Sequence, residues 1–94
     1  MQKFKFNVDL TQEVYKDIPS YVITALEYYV SDRHSTGGFL NAVLTNDLFR
    51  AVGKADNESM KALRGIVTLI HCHVPAICWG SKERVRDWLN GVEA

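Results

Sequence analysis

The sequence lacks the features that would tie it to a membrane, a disulfide scaffold or a polyanion. The apolar run that most resembles a membrane helix, residues 65–70, is far shorter than the roughly 18 uncharged residues that such a helix needs. Two cysteines are too few for a disulfide framework. The 11 Lys and Arg residues balance 11 Asp and Glu residues, so no net charge attracts the chain to nucleic acid. We therefore expect an intracellular protein with no membrane span, and generic nucleic-acid binding is disfavoured.

Helical apolar periodicity is what the sequence does have. Hydrophobic residues make up 47% of the 94 positions, enough for one core and too little chain for two domains. Apolar side chains recur every three or four residues over 19–33, 39–53, 57–74 and 81–90. The pattern predicts a mainly α-helical single domain spanning residues 1–94. We expect a compact bundle of about four helices over 19–90, with the third helix at its centre.

The second predicted helix, residues 39–53, contains two features with more than one interpretation. Gly38 precedes it, and we expect this glycine either to have a positive φ or to lie at a close contact between helices. Asn46 and Asp47 interrupt its apolar run. Either Asp47 caps a second half-helix that begins at Leu48, or the pair faces outward and contacts a partner. The apolar side chains expected to face the core are Leu40, Val43, Leu44, Leu48, Phe49 and Val52.

The N-terminal residues 1–10 have the alternation of a β-like arm. Phe4, Phe6 and Val8 share one side, with polar residues between them. A lone strand must satisfy its backbone hydrogen bonds on its own helices, on a second copy or on a partner. Phe4 and Phe6 are therefore candidate partner-binding residues, and a homodimer through the arm is one of the expected arrangements.

Few residues suggest catalytic or metal chemistry. His71 and His73 are two apart, so a helix would direct them to opposite sides. Cys72 and Cys78 do not have the short spacing of a zinc knuckle. The chain also has no nucleophile elbow, Walker motif or Rossmann glycine pattern. We expect no enzyme activity, no cofactor and no metal.

The densest group of basic residues is Arg50, Lys54, Lys61 and Arg64, of which the last three are the candidate partner-binding cations. Asp56 and Glu58 interrupt this group, which favours a solvated helix face. The alternative is that the three cations contact a partner, and specifically a nucleic acid. That interpretation would make the chain a nucleic-acid-associated regulatory protein.

The residues 36–48, Thr-Gly-Gly-Phe-Leu-Asn-Ala-Val-Leu-Thr-Asn-Asp-Leu, resemble a string found in a family of small uncharacterised phage and prophage proteins. The resemblance covers roughly residues 13–90 and includes Trp79-Gly80-Ser81. It implies a phage origin and a cytoplasmic location in a bacterial host cell, and no mechanism. With the small size and neutral charge, it favours a phage-encoded protein-interaction module that binds and modulates a host protein, for example as an anti-defence inhibitor.

Overall fold

A computed structural model describes residues 4–91 of the chain. This part contains five α-helices and one short 3-10 helix. The α-helices are α1 (Ser20–Asp32), α2 (Gly38–Leu44), α3 (Leu48–Lys54), α4 (Asn57–His73) and α5 (Lys82–Leu89). The 3-10 helix, Ala76–Cys78, lies between α4 and α5. The predicted mainly α-helical bundle is confirmed, and no helix within residues 4–91 is long and apolar enough to cross a membrane.

The second predicted helix is two helices, because Asp47 caps a new one. Its carboxylate accepts a hydrogen bond from the backbone N–H of Arg50 at 3.2 Å. Asn46 has a φ of 62°, a left-handed conformation that asparagine tolerates better than most residues. The turn therefore ends α2 and starts α3 in a new direction, as one of the two predicted alternatives requires.

The core is built around α4, where the sequence predicts the central helix. Ile66 and Leu69 on α4 are fully buried, as are Leu26 on α1 and Leu44 on α2. Fewer apolar side chains of α4 are buried than the sequence pattern predicts. Met60 and Val67 remain 43% and 47% exposed, respectively.

Trp88 on α5 holds that helix against the end of α1. Its indole N–H donates to the carbonyl oxygen of Tyr29 at 2.8 Å. The Arg33 guanidinium lies 3.8 Å from the centre of the indole ring and donates to the Trp88 carbonyl at 2.8 Å. Cation–π stacking and two hydrogen bonds thus fix α5, which also packs against α2.

Of the two alternatives predicted for Gly38, the structure shows the close contact between helices, since Gly38 lies on α2 and Lys54 on α3. Gly38 does not have a positive φ; within the described chain the positive-φ glycines are Gly80 and Gly91. A Cβ at position 38 would lie 2.9 Å from Cδ of Lys54, the flexible part of a long side chain. The close contact at Gly38 is therefore one that a small movement of Lys54 can relieve.

The N-terminal arm, described from Phe4 onward, packs on α1 and forms no strand within residues 4–91. The backbone N–H of Phe4 donates to Oγ of Ser31 at 2.6 Å, and that of Phe6 donates to Glu27 at 3.0 Å. Phe6 and Val8 pack against the core. The arm therefore makes hydrogen bonds and apolar contacts with the chain's own helices. Dimerisation through the arm stays a prediction.

Candidate functional site

The outer face of α3 exposes three apolar side chains. Leu48 is 65% exposed, Phe49 90% and Val52 45%. The expectation that these residues face the core is wrong for all three, because the turn at Asn46 changes the rotational phase of the helix. Ala51 is the residue of α3 that is buried. The helix therefore rests on one small side chain and presents its large ones to solvent.

An apolar groove runs between α3 and α4, with a volume of about 550 Å³. Leu48 and Ala51 line it from α3, and Leu63, Val67 and Ile70 line it from α4. We call it the α3–α4 groove. Its further lining residues are Ala42, Val43, Asn46, Asp47, Thr68, His71, Trp79 and Gly80.

The loop that follows α4 fixes Trp79 at the groove. The Trp79 indole N–H donates to the carbonyl oxygen of Val74 at 3.0 Å. The next residue, Gly80, donates its backbone N–H to the carbonyl oxygen of Leu44 at 2.8 Å. This bond ties the loop to the end of α2, so the groove has a wall held by main-chain and side-chain hydrogen bonds.

A second depression of about 560 Å³ lies between α2, α3 and α5. We call it the α2–α5 cleft. Its charged lining residues are Arg50, Lys82, Arg86 and Asp47, and its other lining residues are Asn41, Thr45, Val85, Leu89 and Asn90. Asp47 lines both depressions, so the cleft and the α3–α4 groove adjoin at the α2–α3 turn.

Arg50 is held in place at the edge of the cleft. Its Nη2 donates to Oδ1 of Asn41 at 2.7 Å and to Oγ1 of Thr45 at 3.3 Å. Its Nε lies 3.3 Å from Oδ2 of Asp47. The sequence places Arg50 in a basic run with Lys54, Lys61 and Arg64, and its grouping with Lys82 and Arg86 was missed because they follow it by more than 30 residues.

Of the three cations predicted as a partner-binding group, Lys54 and Lys61 have different neighbours. The Lys54 side chain lies beside Gly38 at the start of α2. The Lys61 ammonium is 4.0 Å from the carboxylate of Asp17. Lys54, Lys61 and Arg64 line neither the groove nor the cleft. Their density in the sequence is therefore not matched by a shared depression.

The groups that suggested metal or catalytic chemistry are also separated. His71 lies 5.9 Å from the Trp79 ring, whereas His73 lies 6.3 Å from the Tyr15 ring. Within residues 4–91 no group of three His, Cys, Asp or Glu side chains could hold a metal ion.

The buried hydroxyl of Tyr29 lies in the core and not at either depression. Burial raises the pKa of Tyr29 well above its ordinary value, and its hydroxyl donates to the Cys78 carbonyl at 2.6 Å.

Comparison of the chain with protein-family models, with curated protein sequences and with solved structures found no match in any of the three.

Proposed function

We propose that this chain is a protein-interaction module that binds its partner through the α3–α4 groove and the outer face of α3. The observation that carries the proposal is Phe49, whose side chain is 90% exposed, more than any other large apolar side chain in residues 4–91. Leu48 and Val52 extend this apolar face on the same helix. Contiguous exposed apolar side chains next to a groove are typical of interaction sites.

The size of this face is sufficient for an anchor. An aromatic side chain such as Phe49 buries about 200 Å² when fully covered. Full burial of a Phe side chain contributes about 1.5–3 kcal/mol before the costs of association are subtracted. Phe49 can therefore anchor a partner, and contacts in the groove have to supply the rest of the binding free energy.

The partner we infer is a protein of a bacterial host, which the chain modulates by covering a surface that the partner needs. The resemblance of residues 36–48 to phage proteins supports a host partner, and that string ends at Leu48 on the exposed face. The net charge of zero gives no support to nucleic acid as the alternative partner. Lys54 and Lys61 also have separate neighbours.

The test places a photo-crosslinking phenylalanine analogue at position 49 and expresses the protein in its bacterial host. The matched control places the analogue at Tyr28, an aromatic that is 50% exposed on α1, a helix that contributes nothing to the groove. We expect one host protein to crosslink at position 49 and not at position 28. The purified partner should bind Phe49→Asp at least about tenfold more weakly than it binds the parent.

Equal crosslinking from both positions would contradict the proposal, as would full affinity of Phe49→Asp for the crosslinked protein. Because Phe49 is exposed, Phe49→Asp should melt like the parent. A loss of binding therefore reports on the surface and not on folding.

A further inference from the structure

The α2–α5 cleft has an excess of positive charge in a chain with no net charge. Arg50, Lys82 and Arg86 line it, against the single carboxylate of Asp47. That carboxylate is already engaged, since it accepts from the Arg50 backbone N–H and lies 3.3 Å from the Arg50 Nε. Asp47 balances one of the three cations, so the lining of the cleft has a net charge of two positive units.

Two of these cations lie on one face of α5. Lys82 and Arg86 are four residues apart on that helix, a spacing that brings side chains together and makes like charges repel. Arg86 lies 3.3 Å from Asp87, but this pair is exposed, and exposed ion pairs contribute little. An anion placed between Lys82 and Arg86 would relieve their repulsion.

The third cation, Arg50, is fixed before any ligand arrives. Its Nη2 and Nε are bonded to Asn41, Thr45 and Asp47. A guanidinium that is already ordered loses less conformational entropy when its remaining N–H groups bind a carboxylate. The cleft thus offers one ordered and two adaptable donors to a carboxylate.

We propose that the segment which occupies the α3–α4 groove is an acidic peptide segment of the partner, with apolar side chains in the groove and an Asp or Glu in the α2–α5 cleft. The argument is charge complementarity, because the groove and the positive cleft adjoin at Asp47 and one segment can reach both. This inference rests on the proposed function and adds the chemistry of the partner.

The probe is a random library of peptides of about twelve residues, a length suited to groove recognition, selected by mRNA display against the full chain. Enriched peptides are synthesised and their affinities measured. We expect them to combine apolar residues with Asp or Glu. Replacing the acid by its amide should weaken binding about fivefold, the size of an ordered charge pair.

Three variants assign the effect. Phe49→Ala removes the apolar anchor without adding a charge and should weaken binding at least about tenfold. The double variant Lys82→Gln/Arg86→Gln should weaken acidic peptides about fivefold and leave their amide forms unchanged. The matched double variant Lys61→Gln/Arg64→Gln loses the same charge outside both depressions and should change affinity less than about twofold.

Each contrary outcome has one meaning. Enriched peptides that need Phe49 but carry no acid, or equal losses from the two double variants, would overturn the acidic partner and leave the interaction module intact. Binding of single-stranded oligothymidine that Lys82→Gln/Arg86→Gln abolishes, at affinities above those of the peptides, would assign the cleft to nucleic acid instead. A selection in which no peptide depends on Phe49 would overturn the proposed function itself.

Discussion

The carbonyl oxygen of Val14 packs so closely on Gly65 that it occupies the space that a Cβ at position 65 would need. Gly65 is in the middle of α4, and the Ile18 side chain also packs 3.3 Å from where that Cβ would stand. The turn before α1 can rest on α4 only because position 65 has no side chain. This contact lets Tyr15, which is 6% exposed, enter the core.

Gly65→Ala is therefore expected to destabilise the protein. Alanine favours a helix over glycine by about 1 kcal/mol, but a methyl group in a filled space costs about 1–3 kcal/mol, and Val14 contributes backbone that cannot rotate away. Urea denaturation of the parent and the variant measures the difference.

Gly53→Ala is the matched control, since this glycine also lies in a helix and its Cβ would meet nothing within 4 Å. We expect it to stabilise the protein by about 0.5–1 kcal/mol. If both substitutions stabilised equally, the contact of Val14 with α4 would be wrong.

Tyr29→Phe should cost about 1–3 kcal/mol of unfolding free energy, because it removes a buried hydrogen bond to the Cys78 carbonyl. The neighbouring Tyr28 is 50% exposed, and Tyr28→Phe should change stability by less than about 0.5 kcal/mol. Thermal or urea melts of the two variants side by side provide the measurement. If Tyr29→Phe lowered the unfolding free energy by as little as Tyr28→Phe, the Tyr29 hydroxyl would contribute nothing to stability.

Asp56 should make stability depend on pH. Hydrogen bonds from Ser59 at the start of α4 lower its pKa below the ordinary 3.8. A carboxyl whose pKa falls on folding stabilises the protein above the unfolded-state pKa, and this contribution is lost as the pH falls through the folded-state value.

The stability lost in Asp56→Ala should therefore be larger at neutral pH than at about pH 3. Asp56→Asn keeps a capping side chain without a titrating charge and should lie between the two. Urea melts at both pH values measure these differences. A difference between parent and Asp56→Ala that is the same at both pH values would contradict a stabilising charge at position 56.

The two cysteines should react differently with a thiol reagent. Cys72 is an exposed free thiol on α4, whereas Cys78 is fully buried. Native protein should release one equivalent of thionitrobenzoate rapidly from Ellman's reagent and a second only in denaturant. Cys72→Ser should abolish the rapid phase. Rapid reaction at both thiols of the native protein would show that the 3-10 helix opens readily.

Much of the secondary structure could be predicted from local sequence. The three-to-four-residue spacing of apolar side chains predicted the positions of α1 and α4. Polar side chains at the first residues of helices accept hydrogen bonds from backbone groups nearby in sequence. Ser81 accepts from the Arg84 backbone N–H at 3.1 Å, and Asp56 from that of Ser59 at 2.7 Å. Capping depends on a side chain and a backbone group three residues apart, so the sequence by itself determined these helix starts.

The candidate site was decided by tertiary structure. Leu48, Phe49 and Val52 continue the apolar period of α2, yet the left-handed turn at Asn46 breaks the helix and leaves them exposed. Periodicity identifies the apolar face of a segment but cannot show whether another segment covers it. The Arg50, Lys82 and Arg86 group likewise exists only because the Trp88 contacts bring α5 beside α2 and α3. The sequence determined what is set within a few residues, and long-range packing decided which apolar and charged side chains meet at the surface.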